Sequence, residues 1–185
     1  MGYALALAAI KAGHKVTLVT APTNLRLPAG ARIVCVESGR EMFVAVKKHF
    51  DRCDCLIMAA AAADYTPVKK SKVKIKKSNK NLVIKLKPTV DILKWAGKNK
   101  KKNQLVVGFA LEDKNLRLNA EKKLKEKKLD MIIANTPSAI GSDQICVEIK
   151  TPYRRWLKLP QASKTAVAKR IIALVENVRK AGNRE

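Results

Sequence analysis

Cys55-Leu56-Ile57-Met58-Ala59-Ala60-Ala61-Ala62-Ala63-Asp64-Tyr65 reads as a short apolar strand that runs out into alanines and meets one acid. In an open α/β sheet the ligand crevice lies beyond the carboxyl ends of the strands, and this stretch has the composition of such an end. Small side chains there let a planar or phosphorylated group lie against backbone. A basic run follows and ends Lys74-Ile75-Lys76-Lys77. With almost nothing apolar to bury, it is better suited to closing over an anion than to filling a core.

The same rhythm extends outward from that strand on both sides. Residues 3–12 are alanine-rich and suit a helix packed tightly on a sheet, with Gly13 as its stop. Residues 14–20 and 32–37 read as strands, and 39–52 as a helix with Met42, Val44, Ala45 and Phe50 at helical spacing. Downstream, 90–99 is expected to be helical, 104–109 a strand, 114–128 a helix and 129–134 a strand. This alternation predicts an α/β fold, a Rossmann-like three-layer sandwich with a mainly parallel sheet between two helical layers. One domain spanning 1–185 is the expected organisation.

Two stretches break the rhythm. Residues 74–77 and 81–86 are expected to form a small β-hairpin through Ser78-Asn79-Lys80, and 144–150 with 153–159 a second one around Thr151-Pro152 at the sheet's edge. The final helix, 163–180, starts at a serine cap and carries Val167, Ile171, Leu174, Val175 and Val178 on one face. The chain begins with a helix, whereas a doubly wound sheet puts a strand and its phosphate-binding turn before that helix.

Thirty-nine Lys and Arg against fifteen Asp and Glu give a formal charge of +24, which calls for an anionic partner. The four cysteines, Cys35, Cys53, Cys55 and Cys146, fit neither a C-x-x-C motif nor a zinc site. Cys35, Cys55 and Cys146 lie in apolar runs, where a thiol acts as a small hydrophobe. A reduced, cytoplasmic protein is the expectation, with no metal ligands in the chain. No apolar run reaches the roughly 18 residues of a membrane span, and the first residues lack a basic signal start.

Several side chains carry candidate chemistry, each with a plainer alternative. Asp64 can accept hydrogen bonds from a ribose, a base amine or a metal-bound water, or it can cap a turn. Lys74 and Lys76 share one face if extended and could reach a triphosphate together, or they can simply discourage edge pairing. Between Thr66 and Lys102 stand fourteen lysines and one acid, Asp91, a repulsion that a bound polyanion would relieve. Gly108 and Phe109 end a strand at the same crevice, Gly108 allowing close backbone approach and Phe109 serving as a base contact or a core ring. Lys123 and Lys127, four apart on a helix whose buried stripe is Leu116, Ala120 and Leu124, read on their own as a solvated face. Asn135 ends another strand. Asp64, Phe109 and Asn135 follow three successive strands and are expected to converge on one edge of the sheet.

The chain resembles bacterial phosphopantothenoylcysteine synthetase, the synthetase half of the bifunctional coenzyme A biosynthesis flavoprotein. The resemblance rests on Met1-Gly2-Tyr3-Ala4-Leu5-Ala6, Gly13-His14-Lys15-Val16-Thr17-Leu18, Ala61-Ala62-Ala63-Asp64-Tyr65, Lys74-Ile75-Lys76-Lys77 and Lys87-Pro88-Thr89-Val90-Asp91-Ile92-Leu93. It continues through Val107-Gly108-Phe109-Ala110-Leu111-Glu112, residues 120–130 and Ile133-Ala134-Asn135.

The resemblance implies a ligase that activates phosphopantothenate with CTP as an acyl-cytidylate, with Mg2+ present, and passes the acyl group to cysteine. It implies that Asp64, Lys74, Val90, Asp91, Ile92, Leu93, Phe109, Lys123 and Lys127 contact CTP. Lys74 is the lysine opening a mobile lid and the one catalytic residue carried over. It also implies a homodimer paired through the region after Asp64, and no flavin. The family places an Asn-x-Ser-Ser-Gly-Lys loop just before the equivalent of Met1-Gly2, so the chain is expected to lack that loop and its catalytic Asn. The rival from another class is a basic nucleic-acid-binding module without catalysis. Eight aromatics that do not interleave with the lysines, and the lack of a nucleic-acid-binding signature, weigh against it. A nicotinamide-dependent oxidoreductase is disfavoured by the lack of G-x-G-x-x-G.

Overall fold

Residues of the parallel strands of the central sheet alternate between two cores, which sets the layering around them. In β6 (Leu105–Leu111) and β7 (Met131–Asn135), Val107, Met131 and Ile133 face one cluster, while Val106, Ala110, Ile132 and Ala134 face the other. This is the period-two alternation of a strand buried on both sides. The computed structural model describes residues 1–182 except 70, 72, 78, 80 and 138–140.

Helices α1 (Gly2–Lys11) and α5 (Lys164–Gly182) cover the first face, bringing Leu5, Ala8, Val167, Ile171 and Val175 into its core. Helices α2 (Gly39–Phe50), α3 (Ile92–Asn99) and α4 (Leu116–Glu126) cover the second with Phe50, Leu93, Ala96, Ala120 and Leu124. The expected three-layer α/β sandwich is therefore the observed one. Its central sheet has five strands in the order β3 (Cys55–Met58), β6, β7, β8 (Gln144–Lys150), β9 (Leu157–Ser163). The β3, β6 and β7 strands are mutually parallel, and β8 is antiparallel to both of its neighbours. Four of the five strands thus run one way. A separate parallel pair is formed by β1 (Val16–Thr20) and β2 (Ala31–Cys35).

Local signals set the helix ends. Ser38 Oγ accepts from Glu41 N at 3.2 Å, Asp91 Oδ1 accepts from Lys94 N at 2.9 Å, and Ser163 Oγ accepts from Ala166 N at 3.2 Å. Each satisfies an orphan donor of a first turn. Helix α1 stops as expected at Gly13, whose φ of +85° is open to glycine, and His14 N closes back on Ala9 O at 3.0 Å. Gln104, 6% exposed, ties the α2–β3 corner to β6, its Nε2 donating to Phe50 O at 2.6 Å and Cys53 O at 2.7 Å.

Four expectations need correction. The first hairpin is not where alternation put it. Among the described residues, 74–77 and 81–85 form no strand, and the antiparallel pair is instead β4 (Tyr65–Pro67) with β5 (Leu86–Pro88). Residues 74–77 and 81–85 are exposed throughout and pack against nothing that would hold a strand, whereas Tyr65 and Pro88 are brought opposite each other next to the anchored start of α3. Ser78 and Lys80 of the expected turn lie outside the described residues. Second, the later hairpin forms, but its second strand begins at Leu157, because residues 152–154 make the turn. Third, Val44 is 58% exposed, and the buried face of α2 is Ala45, Val46 and Phe50. Fourth, Cys35 and Cys146 are exposed, having taken the outward phase of their strands; Cys55 is half-buried.

Candidate functional site

Parallel pairing brings the carboxyl ends of β3, β6 and β7 to one rim, as Met58 pairs with Gly108 and Leu111 with Asn135. The chain leaving β3 runs through the alanines along the start of α3 and is stapled there twice. Thr89 Oγ1 donates to Ala63 O at 2.6 Å, and Thr89 N donates to Asp64 O at 2.8 Å. The β4–β5 ribbon then returns the chain to α3, so residues 68–85 are an excursion from a closed neck, with Val68 N donating to Lys85 O at 3.0 Å.

Between the alanine run and α3 lies a cleft of about 160 Å³. Its walls are Met58, Ala60, Ala61, Ala62, Asp64, Thr89, Val90, Asp91, Ile92, Leu93, Phe109 and Lys127. Seven of the nine sequence-assigned site residues are among them: Asp64, Val90, Asp91, Ile92, Leu93, Phe109 and Lys127. Phe109 is half-buried, lines the cleft and also packs against the α1–α5 core, which is the core role weighed for it. Gly108 has a different reason from close ligand approach. A Cβ there would lie 2.6 Å from Leu93 Cδ2 and 2.9 Å from Leu129 Cδ1, so the glycine makes room for the core.

The two remaining residues stand outside the cleft walls. Lys74 is exposed on the 68–85 excursion. Lys123 Nζ is 2.5 Å from Glu112 Oε1, beside β6, and Glu112 Oε2 also accepts from Asn119 Nδ2 at 3.0 Å. Asn135 sits next to that group, its carbonyl accepting from Glu112 N at 3.1 Å, and does not line the cleft. The solvated face expected of Lys123 and Lys127 is thus replaced by two ion pairs to different acids, the second being Lys127 Nζ with Asp91 Oδ2 at 2.9 Å.

Asp91 does two jobs, capping α3 with one oxygen and holding Lys127 with the other. Burial pulls its pKa upward, but the hydrogen bond from Lys127, the Lys94 amide and the charges of both lysines outweigh this and leave it lowered. Sequence reasoning had overlooked Thr89 as the staple and Glu112 as the partner of Lys123. A Thr two positions before a capping Asp was the available sign of the first, and nothing in one sequence signalled the second.

Chemically, the cleft offers a carboxylate able to accept from hydroxyls or an amine, a flat floor of small residues, a ring edge and a cation held ready. It supplies charge and shape, and neither His nor Cys lines it. Among the described residues no group of three or more His, Cys, Asp or Glu is arranged to hold a metal ion. No helix among them is long and apolar enough to cross a membrane.

Comparison with known proteins agrees with this geometry. Residues 1–178 match the family model described as DNA/pantothenate metabolism flavoprotein C-terminal domain. The chain is 40% identical over 179 residues to the coenzyme A biosynthesis bifunctional protein CoaBC of Borreliella burgdorferi, covering 95% of this chain and 45% of that protein. It is 49% identical over 137 residues to a protein of an unknown prokaryotic organism described as cysteine/cysteine sulfinic acid decarboxylase, covering 74% of this chain and 38% of that one. The chain therefore spans less than half the length of these curated relatives. A crystal structure of the C-terminal domain of CoaBC superposes with a TM-score of 0.81 at 35% identity, covering 97% of this chain and 82% of that one.

Proposed function

The chain belongs to the DNA/pantothenate metabolism flavoprotein C-terminal domain family, and from that premise we propose that it is a CTP-dependent ligase joining phosphopantothenate to cysteine. The observation that carries the reading is a convergence. Residues assigned singly from scattered motifs, Asp64, Val90 to Leu93, Phe109 and Lys127, line one cleft.

In this reading the cytidine lies on Ala60 to Ala62, within reach of the Asp64 carboxylate, and the triphosphate takes the Lys127 ammonium from Asp91. Lys123, at the adjoining corner, and Lys74, on the excursion, add charge from outside the walls. A carboxylate oxygen of phosphopantothenate attacks the α-phosphorus of CTP, forming the acyl-cytidylate and releasing pyrophosphate. The cysteine amine, as free base, then attacks the acyl carbon, the acyl–phosphate C–O bond breaks as CMP leaves, and the proton lost from nitrogen passes to solvent. Both steps build charge on phosphate oxygens, which ammonium groups stabilise directly, so a cleft without His or Cys suits them. Asp91, once Lys127 has left it, would be the carboxylate beside the phosphates able to hold Mg2+, which is bound through one or two carboxylates together with substrate phosphates and would neutralise the departing pyrophosphate. The decarboxylase among the relatives is a protein of which this chain covers 38%, so its activity is not carried over to this chain.

The excursion also suits a homodimer. Val73, Ile75, Leu82, Val83 and Ile84 are between 55% and 82% exposed, an apolar set that a second subunit would cover.

The test is equilibrium binding of CTP, UTP and ATP with Mg2+, followed by pyrophosphate release with phosphopantothenate and mass detection of the cysteine adduct. CTP should bind in preference to the others, and pyrophosphate should appear only with phosphopantothenate. Equal affinity for all three nucleotides would remove the assignment.

A further inference from the structure

Thr89 is the polar wall residue of the cleft that no motif assigned. It is half-buried and stands two positions before the Asp91 cap of α3. Both of its polar hydrogens go to the chain leaving β3, the amide to Asp64 O at 2.8 Å and the hydroxyl to Ala63 O at 2.6 Å. A peptide carbonyl can only accept, so the hydroxyl must be the donor in that bond. A threonine hydroxyl has one proton and two lone pairs. With the proton committed to Ala63, Oγ1 is left as an acceptor only.

The other polar side chains of the walls have different work. Asp91 uses Oδ1 for Lys94 N and Oδ2 for Lys127, and Lys127 carries the charge that a phosphate needs. Asp64 is exposed, and a solvated carboxylate suits ribose hydroxyls. Water can replace a partner lost to an exposed group, so Asp64 separates one base from another poorly, whereas an unmatched half-buried group is costly. No side chain in the walls is left with a neutral donor to offer, so a keto oxygen has no match among them.

We propose that Thr89 is the residue that reads the base. Its hydroxyl oxygen accepts from the exocyclic amine of cytosine, and it meets the keto oxygen that uracil carries in the same place as acceptor against acceptor. The inference rests on the CTP reading and names the side chain behind its preference. The bond that staples the neck is also what keeps the hydroxyl proton turned away from the ligand.

The experiment is equilibrium binding, with Mg2+, of CTP, UTP and the triphosphate of zebularine, the cytidine analogue with only hydrogen in place of the amine. Each is titrated into the parent chain, Thr89→Val and Thr89→Ser. In the parent, CTP should bind about tenfold tighter than the zebularine nucleotide, the scale of one hydrogen bond left unmade, and UTP no tighter than that analogue. Thr89→Val keeps the shape without the oxygen and should bring the ratio of CTP to analogue affinity below about threefold. Thr89→Ser keeps the hydroxyl and should hold the ratio within about twofold of the parent's. An equal loss for every nucleotide in Thr89→Val, with the ratios kept, would mean that Thr89 only staples the neck. That result overturns the inference and leaves the CTP reading in place, whereas a parent that binds CTP and UTP alike brings down both. The comparison of CTP with the analogue on the parent needs no variant, and a ratio near one overturns the inference even if Thr89→Val does not fold.

Discussion

Lys127 Nζ lies 2.9 Å from Asp91 Oδ2, joining the last turn of α4 to the cap of α3 across the mouth of the cleft. The same carboxylate caps α3 through its other oxygen, so the pair links a helix end, a largely buried cation and a wall of the cleft.

Asp91→Ala removes both bonds and should cost about 1 kcal/mol of stability, as the loss of a capping side chain usually does. Asp91→Asn keeps a capping oxygen and should cost clearly less. Chemical denaturation of both variants checks this, and equal losses would show that the cap contributes nothing.

The pH dependence follows from the lowered pKa of Asp91. A carboxylate lowered on folding contributes stability above its ordinary value of 3.8, and the contribution is lost as pH falls through the lower folded value. Asp91→Asn should therefore lose less stability than the parent chain as pH falls below 3.8. Melting curves in an acid series measure it; parallel curves would rule out the linkage.

Lys127→Ala should weaken CTP binding about tenfold, the scale of one charge-assisted contact. Lys122→Ala, on an exposed lysine 3.9 Å from Glu126, should change it by less than about twofold. Lys74→Ala should lower CTP turnover far more than Lys98→Ala if the excursion closes over the nucleotide. Calorimetry and initial rates separate the outcomes, and equal effects at Lys74 and Lys98 would deny Lys74 its role.

Gly97→Ala should destabilise by about 3 kcal/mol or more, because the new Cβ would lie 1.8 Å from Lys127 O, a backbone atom that cannot turn away. Gly39→Ala, with nothing within 4 Å, should be close to neutral. The contrast is read from unfolding midpoints.

Thiol labelling of the native chain at pH 8 should modify Cys35 and Cys146, both exposed, before Cys55. Burial pushes the Cys55 thiol up to about 12, which leaves almost no thiolate. Peptide mapping over time decides it; early labelling of Cys55 would contradict the structure.

The order of helices and strands was legible because burial on both faces gives the sheet strands apolar runs and the helices a striped face. Ser163 also marked the start of the last helix, whereas the caps at Ser38 and Asp91 came to light only with the structure. Residues 74–77 misled because lysines in alternation imitate a strand without giving it anything to pair with, and the observed pairing of Tyr65 with Pro88 lies beside the Thr89 staple. Most of the cleft could be found from motif ends. The acids that neutralise Lys123 and Lys127 could not, since Glu112 and Asp91 are 11 and 36 positions away and meet these lysines only through packing.

Gly97 gives Lys127 a fixed anchor and a free tip. With its carbonyl wedged against a neighbouring helix, the main chain there has nowhere to travel, so in the proposed reading handing the ammonium from carboxylate to phosphate would be a swing of four methylenes. Such rotamer exchange is completed in nanoseconds, and at that corner of the molecule the arrival of an anion would register in side-chain spectra while the amide backbone kept still.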